Sequence, residues 1–166
     1  RFIWYMKKKT KKNTKTIKKV YLKRKEKKID KLYDWYNPDV QFVVSQYNRN
    51  ISMLLNKTYG NLIDLEFKEF FSKNFVFQDY EIIAKKIKVF IIRNVRQMDE
   101  NSKNLLSRFI SFIDVVYENK NILSISSNVE LDELYVGKTN AYEFKRTLSR
   151  LKEIGSNKYI DINLNK

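Results

Sequence analysis

Two short apolar runs, IKVFIIR (87–93) and ILSISS (122–127), flank a segment in which Leu105, Leu106, Phe109, Ile110, Phe112, Ile113, Val116 and Tyr117 recur at helical spacing. An apolar run of this length, bounded by polar turns, suits a strand buried on both faces. Two such strands joined through a helix belong to a parallel sheet, so the pattern predicts a βαβ crossover and an α/β layer. Asp99 or Ser102 is the expected cap of the intervening helix.

The alternation extends upstream, where Asp79 is placed to N-cap a helix through Lys86 that leads into the first run. Ahead of it, VQFVVSQY (40–47) and LIDLEF (62–67) are rich in Val, Ile and Phe, with NISMLL (50–55) and the turn KTYGN between them. This predicts a small β-meander or hairpin inserted before the α/β layer. Ile29, Leu32, Tyr33 and Tyr36 form a helical stripe within residues 20–36 that the only proline, Pro38, ends. At the other end, AYEFKRTLSRLKEIGSNKY predicts a helix burying Phe144, Leu148 and Leu151, with Gly155 as its C-cap and INLNK (162–166) loose.

Composition excludes much chemistry. With no Cys and no His there is no thiol nucleophile, disulfide, zinc finger or Ser-His-Asp triad. The three glycines, Gly60, Gly137 and Gly155, form neither a GxxxxGK[ST] phosphate loop nor a GxGxxG fingerprint. The chain of 166 residues, 43% hydrophobic, is sized for one domain or one domain plus a tail. No apolar run reaches the ~18 residues of a membrane span and no signal-peptide pattern opens the chain, so a soluble, cytoplasmic protein is expected. A chain opening on Arg1 is expected to be a piece of something longer, or a trimmed product.

Of the net charge of +15, residues 1–31 carry +13, from 15 Lys/Arg against 2 Asp/Glu. The basicity thus belongs to an arm and not to the body that follows. Such an arm could neutralise phosphates, with Trp4 and Tyr5 stacking on bases, or be a solvated lysine segment. Lys, Asn, Ile, Tyr and Phe supply 82 of the 166 residues, and A/T-biased codons alone would produce that bias.

Asp114, inside FISFIDVVYE, resembles a magnesium-holding aspartate, but its apolar neighbours fall at helical and not alternate spacing. Arg146 and Arg150 are i, i+4 neighbours about 200° and 240° round from Phe144 on an ideal helix. Two adjacent guanidinium groups repel unless an anion compensates. Glu143 and Glu153 are placed to do so on a solvated face, and a phosphate-sensing role is the alternative.

RFISFIDVVYENKNILSISSNVELDELYVG followed by YEFKRTLSRLKEIGSNKY resembles the C-terminal region of the ZapE-type AAA+ ATPases, a family with mitochondrial relatives. That family shows an Arg-Phe-Ile helix, a Val-Lys-Leu strand ending in Ser-Ala-Glu, a Glu-Leu-Tyr and an F-x-R-T-x-S-R-L-x-E-M signature, in this order. EFKEFFSKNFVFQDYEIIAKK and FIIRNVRQM are similar to its upstream segments, and the match is clear from about residue 40 to 160. Asn94 and Arg96 replace its Asp and Pro, Ser127 and Asn128 its Ala and Glu, Ile154 and Gly155 its Met and Gln.

The resemblance implies the C-terminal part of a P-loop AAA+ type α/β domain, spanning residues 20–166 behind an unassigned basic arm over 1–19. It implies ATP and magnesium in the complete protein, held by an N-terminal half, and no nucleotide or turnover in this chain alone. A homo-oligomer and cell-division partners come with it. AAA+ proteins carry arginines outside the phosphate loop that act on the γ-phosphate. Arg146 and Arg150 are the first candidates and Arg108 the second. The competing readings are a basic module binding nucleic acid or an acidic surface, and an inactive remnant.

Overall fold

The computed structural model describes residues 49–55, 58 and 60–164. Helix α1 (Arg49–Leu55) precedes strand β1 (Leu62–Glu66), which runs directly into α2 (Phe67–Ser72) and then α3 (Phe77–Lys86). Strand β2 (Val89–Val95) leads through a 3-10 turn (Glu100–Ser102) into α4 (Lys103–Glu118) and β3 (Ile122–Ser127). A second 3-10 turn (Leu131–Glu133), α5 (Ala141–Ile154) and α6 (Asn157–Leu164) complete the order.

The strands form one parallel sheet in the order β1-β2-β3, with Leu62 opposite Val89 and Val89 opposite Ile122. Val89, Phe90, Ile91 and Ile92 are buried in succession. Since successive side chains point to opposite faces, both faces of β2 are covered, as the crossover topology requires. The expected β2-α4-β3 unit is present, and the fold is α/β.

Against one another, α2, α3 and α4 build an aromatic core from Phe67, Phe70, Phe71, Phe75, Tyr80, Phe109 and Phe112. Phe112 sits edge-on to Phe70, Phe71, Tyr80 and Phe90, with centroids 5.2–5.7 Å apart. Edge-to-face pairs of this kind contribute about 0.5–1.5 kcal/mol each beyond their buried area.

Several expected details change. The β-meander is not formed over the described part of its span. Residues 50–55 are helical, with Ile51 and Leu54 buried on one side, and Leu62–Glu66 joins the parallel sheet; residues 40–47 lie outside the described residues, as do the stripe over 20–36 and the basic arm. Asp79 lies inside α3, accepting from the Val76 amide at 3.0 Å. Asp99 caps the 3-10 turn, accepting from the Asn101 amide at 3.0 Å.

Strand β2 runs two residues past its expected end, through a register shift between Ile92 and Val95 in which Asn94 takes a left-handed φ of 57°. The extra residue of a bulge accounts for the shift, and Asn tolerates that conformation better than most residues. The tail expected to be loose is helical through Leu164, because Tyr159, Ile160 and Asn163 are buried. A helix of eight residues does not stand on propensity alone, so its packing near β3 and α5 holds it.

Candidate functional site

The F-x-R-T-x-S-R-L signature lies on α5, which packs along α4. Phe144, Thr147, Leu151 and Ile154 are buried, and the flank bearing Arg146 and Arg150 meets α4 at Asp114. There the single acidic residue within α4's apolar stretch meets both arginines. Arg150 Nη1 donates to Asp114 Oδ1 at 2.5 Å and Arg146 Nη2 to Oδ2 at 2.9 Å.

Arg150 is held further. Its Nη2 lies 3.4 Å from Glu118 Oε1, and its guanidinium stands 4.9 Å from the centroid of Tyr117. The Tyr117 hydroxyl donates to Glu153 at 2.8 Å, a bond that raises its pKa. Arg150 and Asp114 retain 21% and 20% of their side-chain exposure, whereas Arg146 retains 59%. An exposed ion pair such as that of Arg146 contributes about 0–1 kcal/mol, and the better-covered Arg150 pair is less screened.

The compensating groups are therefore Asp114 and Glu118, not the expected Glu143 and Glu153. Glu143 accepts from the Asn140 amide group and Glu153 from Tyr117. Neighbours three residues away on one helix lose here to a carboxylate on the adjacent helix.

Arg108 stands apart from this cluster. It precedes Asp114 by six residues, about 9 Å along the helix and 240° round it. Its guanidinium donates to the Phe71 carbonyl at 2.9 Å and to Asn74 Oδ1 at 2.8 Å, closing the end of α2 onto α4. Both acceptors are neutral oxygens.

Three contacts escaped the sequence. Glu100 Oε1 accepts from the amides of Lys138 and Thr139, fixing the turn before α5. Bonds from the Thr139 side chain and from these two amides hold its pKa down to about 2. Asp64 on β1 pairs with Arg93 on β2. One charge of opposite sign inside each of two apolar strands was a usable signal for that pair. The Asn121 side-chain amide donates to the carbonyls of Ala84 and Ile87, at 2.9 and 2.6 Å, while the Asn121 backbone carbonyl accepts from the Tyr159 hydroxyl at 3.1 Å. Nothing local marks these roles.

Among the described residues, no three His, Cys, Asp or Glu residues are grouped to hold a metal. They do not fit a magnesium site by themselves. No described helix is long and apolar enough to cross a membrane.

A three-stranded parallel sheet covered by helices is consistent with a partial AAA+-type α/β domain. The model of the AFG1-like ATPases matches residues 23–163, and the chain belongs to that family.

An uncharacterized protein of Schizosaccharomyces pombe, C115.02c, is 31% identical over 102 residues, covering 61% of this chain and 22% of the relative. The cell division protein ZapE of Escherichia coli K12 is 33% identical over 82 residues, or 49% of this chain and 22% of ZapE. The matched region thus spans about a fifth of the length of these relatives. No solved structure matches the chain.

Proposed function

We propose that these residues are the C-terminal half of a ZapE-like ATPase that couples ATP binding and hydrolysis to cell-division work in the cytoplasm. Arg146 and Arg150 sense the γ-phosphate, and Arg108 is the second-ranked candidate. The observation that carries this reading is the convergence of two guanidinium groups on one carboxylate. Asp114 and Glu118 both hold Arg150, while Arg146, bonded to Asp114 alone, stands 59% exposed on the signature helix. An arginine fork there suits a phosphoryl group developing charge.

The phosphate loop and the magnesium ligands belong, in this reading, to a part of the whole protein other than these 166 residues. ATP and magnesium bind there; the likeness to the cell division protein ZapE supports cell-division partners, and homo-oligomer formation is part of the same proposal. This chain alone is expected to show no ATP turnover.

The test is ATP hydrolysis by the whole protein. Arg146→Ala or Arg150→Ala is expected to lower kcat more than nucleotide affinity, as for groups acting on the transition state. Wild-type rates in both variants would make the cluster a structural contact between helices.

A further inference from the structure

The two arginines share Asp114 unequally. Arg150 makes the shorter bond, at 2.5 Å, has a second carboxylate in Glu118 and lies against Tyr117. Arg146 makes one bond, at 2.9 Å, with 59% of its side chain exposed. That bond engages one of the five N–H donors a guanidinium carries, so the greater part of its fork is turned to solvent.

We infer that Asp114 and Arg150 form a fixed pair that positions Arg146, and that Arg146 exchanges Asp114 for the γ-phosphate when ATP is bound. This rests on the nucleotide-sensing reading above and narrows it, with Arg146 meeting the phosphate and Arg150 acting through its hold on Asp114; it assigns the regulation, because Asp114 competes with the phosphate for the Arg146 guanidinium. Asp114 is thus a positioning residue.

The charges favour this division of labour. Asp114 and Glu118 together balance the two guanidinium groups, but Glu118 is 66% exposed and 3.4 Å from Arg150, so the best-covered pair is Asp114 with Arg150. When Arg146 leaves, Asp114 keeps Arg150, so no part-buried charge is orphaned. The departure also relaxes the repulsion between two cations one helical turn apart. Were Arg150 to leave instead, its bonds to Asp114 and Glu118 and its packing on Tyr117 would all be lost.

The experiment measures ATP and ADP affinity and single-turnover hydrolysis in the whole protein. Asp114→Asn removes the competing charge at nearly constant shape. It is expected to raise the preference for ATP over ADP roughly fivefold or more. Asp114→Asn combined with Arg146→Gln is expected to return the preference to that of Arg146→Gln alone. An unchanged preference in Asp114→Asn, with Arg146→Gln still impaired in turnover, overturns the exchange and leaves the nucleotide-sensing role standing. Wild-type turnover and preference in Arg146→Gln overturn both.

A measurement on the unsubstituted protein covers the case in which Asp114→Asn does not fold. On addition of a non-hydrolysable ATP analogue, the Nε–H resonance of Arg146 is expected to shift while that of Arg150 stays. Movement of both, or of neither, overturns the exchange.

Discussion

The guanidinium of Arg150 lies 4.9 Å from the centroid of Tyr117, and the hydroxyl of that tyrosine donates to Glu153, three residues further along Arg150's own helix. Helix α4 therefore grips α5 at two successive levels, first through Asp114 and then through Tyr117. Lysine keeps the charge of arginine but not the planar fork or its stacking. Arg150→Lys is expected to lower stability by about 1 kcal/mol, and Arg146→Lys to stay within about 0.5 kcal/mol of wild type. Urea denaturation of both variants measures the difference.

Tyr80 lies in the aromatic core at 1% exposure, and its hydroxyl has no hydrogen-bond partner among the described residues. Burial raises the pKa of that hydroxyl, which stays protonated throughout the physiological range. An unbonded buried hydroxyl costs stability that phenylalanine does not. Tyr80→Phe is expected to leave stability unchanged or raise it by about 1 kcal/mol, read from the urea midpoint at constant m.

Glu100 titrates at about 2 in the folded protein against an ordinary value of 4.5. Its folded pKa is depressed, so its contribution is fully present above about pH 4.5 and is lost as pH falls towards 2. Glu100→Gln is expected to lower the Tm at pH 7, with the difference from wild type closing between pH 4.5 and 2. Parallel thermal melts across that interval test it, and a gap that does not narrow there removes the amide clamp as the cause.

Asn94 holds a φ of 57° at the bulge, its amide N–H bonded to Ser126 and its side chain to Glu66 at 2.8 Å. An alanine there keeps the left-handed backbone and loses the side-chain bond, at an expected cost of about 1–2 kcal/mol. Asn94→Gly relieves the backbone while losing the same bond, so its cost is expected to be smaller. Equal losses in the two variants would show that the Glu66 bond, and not the backbone, determines the residue.

Where burial writes a strong period, the sequence was legible. The long stripe of α4 and the run ILSISS fall where the structure has a helix and a strand, and the face of α5 follows from Phe144 and Leu151. LIDLEF reads as extended and Leu62–Glu66 is a strand, but its partner is the parallel β2 and not a meander neighbour. Leu62 and Ile63 are adjacent and both buried, which is the mark of a strand covered on two faces and not of a meander. The tail escaped because Tyr159 and Ile160 need partners supplied by the fold. In the arginine cluster, both guanidinium groups and Asp114 were visible singly. Their pairing spans 32 and 36 residues, beyond any rule of helical neighbours.

The order of strands across the sheet is the order in which they occur along the chain. Among the described strands, a polypeptide leaving the ribosome therefore meets each sheet partner already made, β2 finding β1 and β3 finding β2. Helix α5 comes after all of them. Asp114 waits unpaired until Arg146 and Arg150 have been synthesised, so this charge cluster closes only after all three described strands have been made.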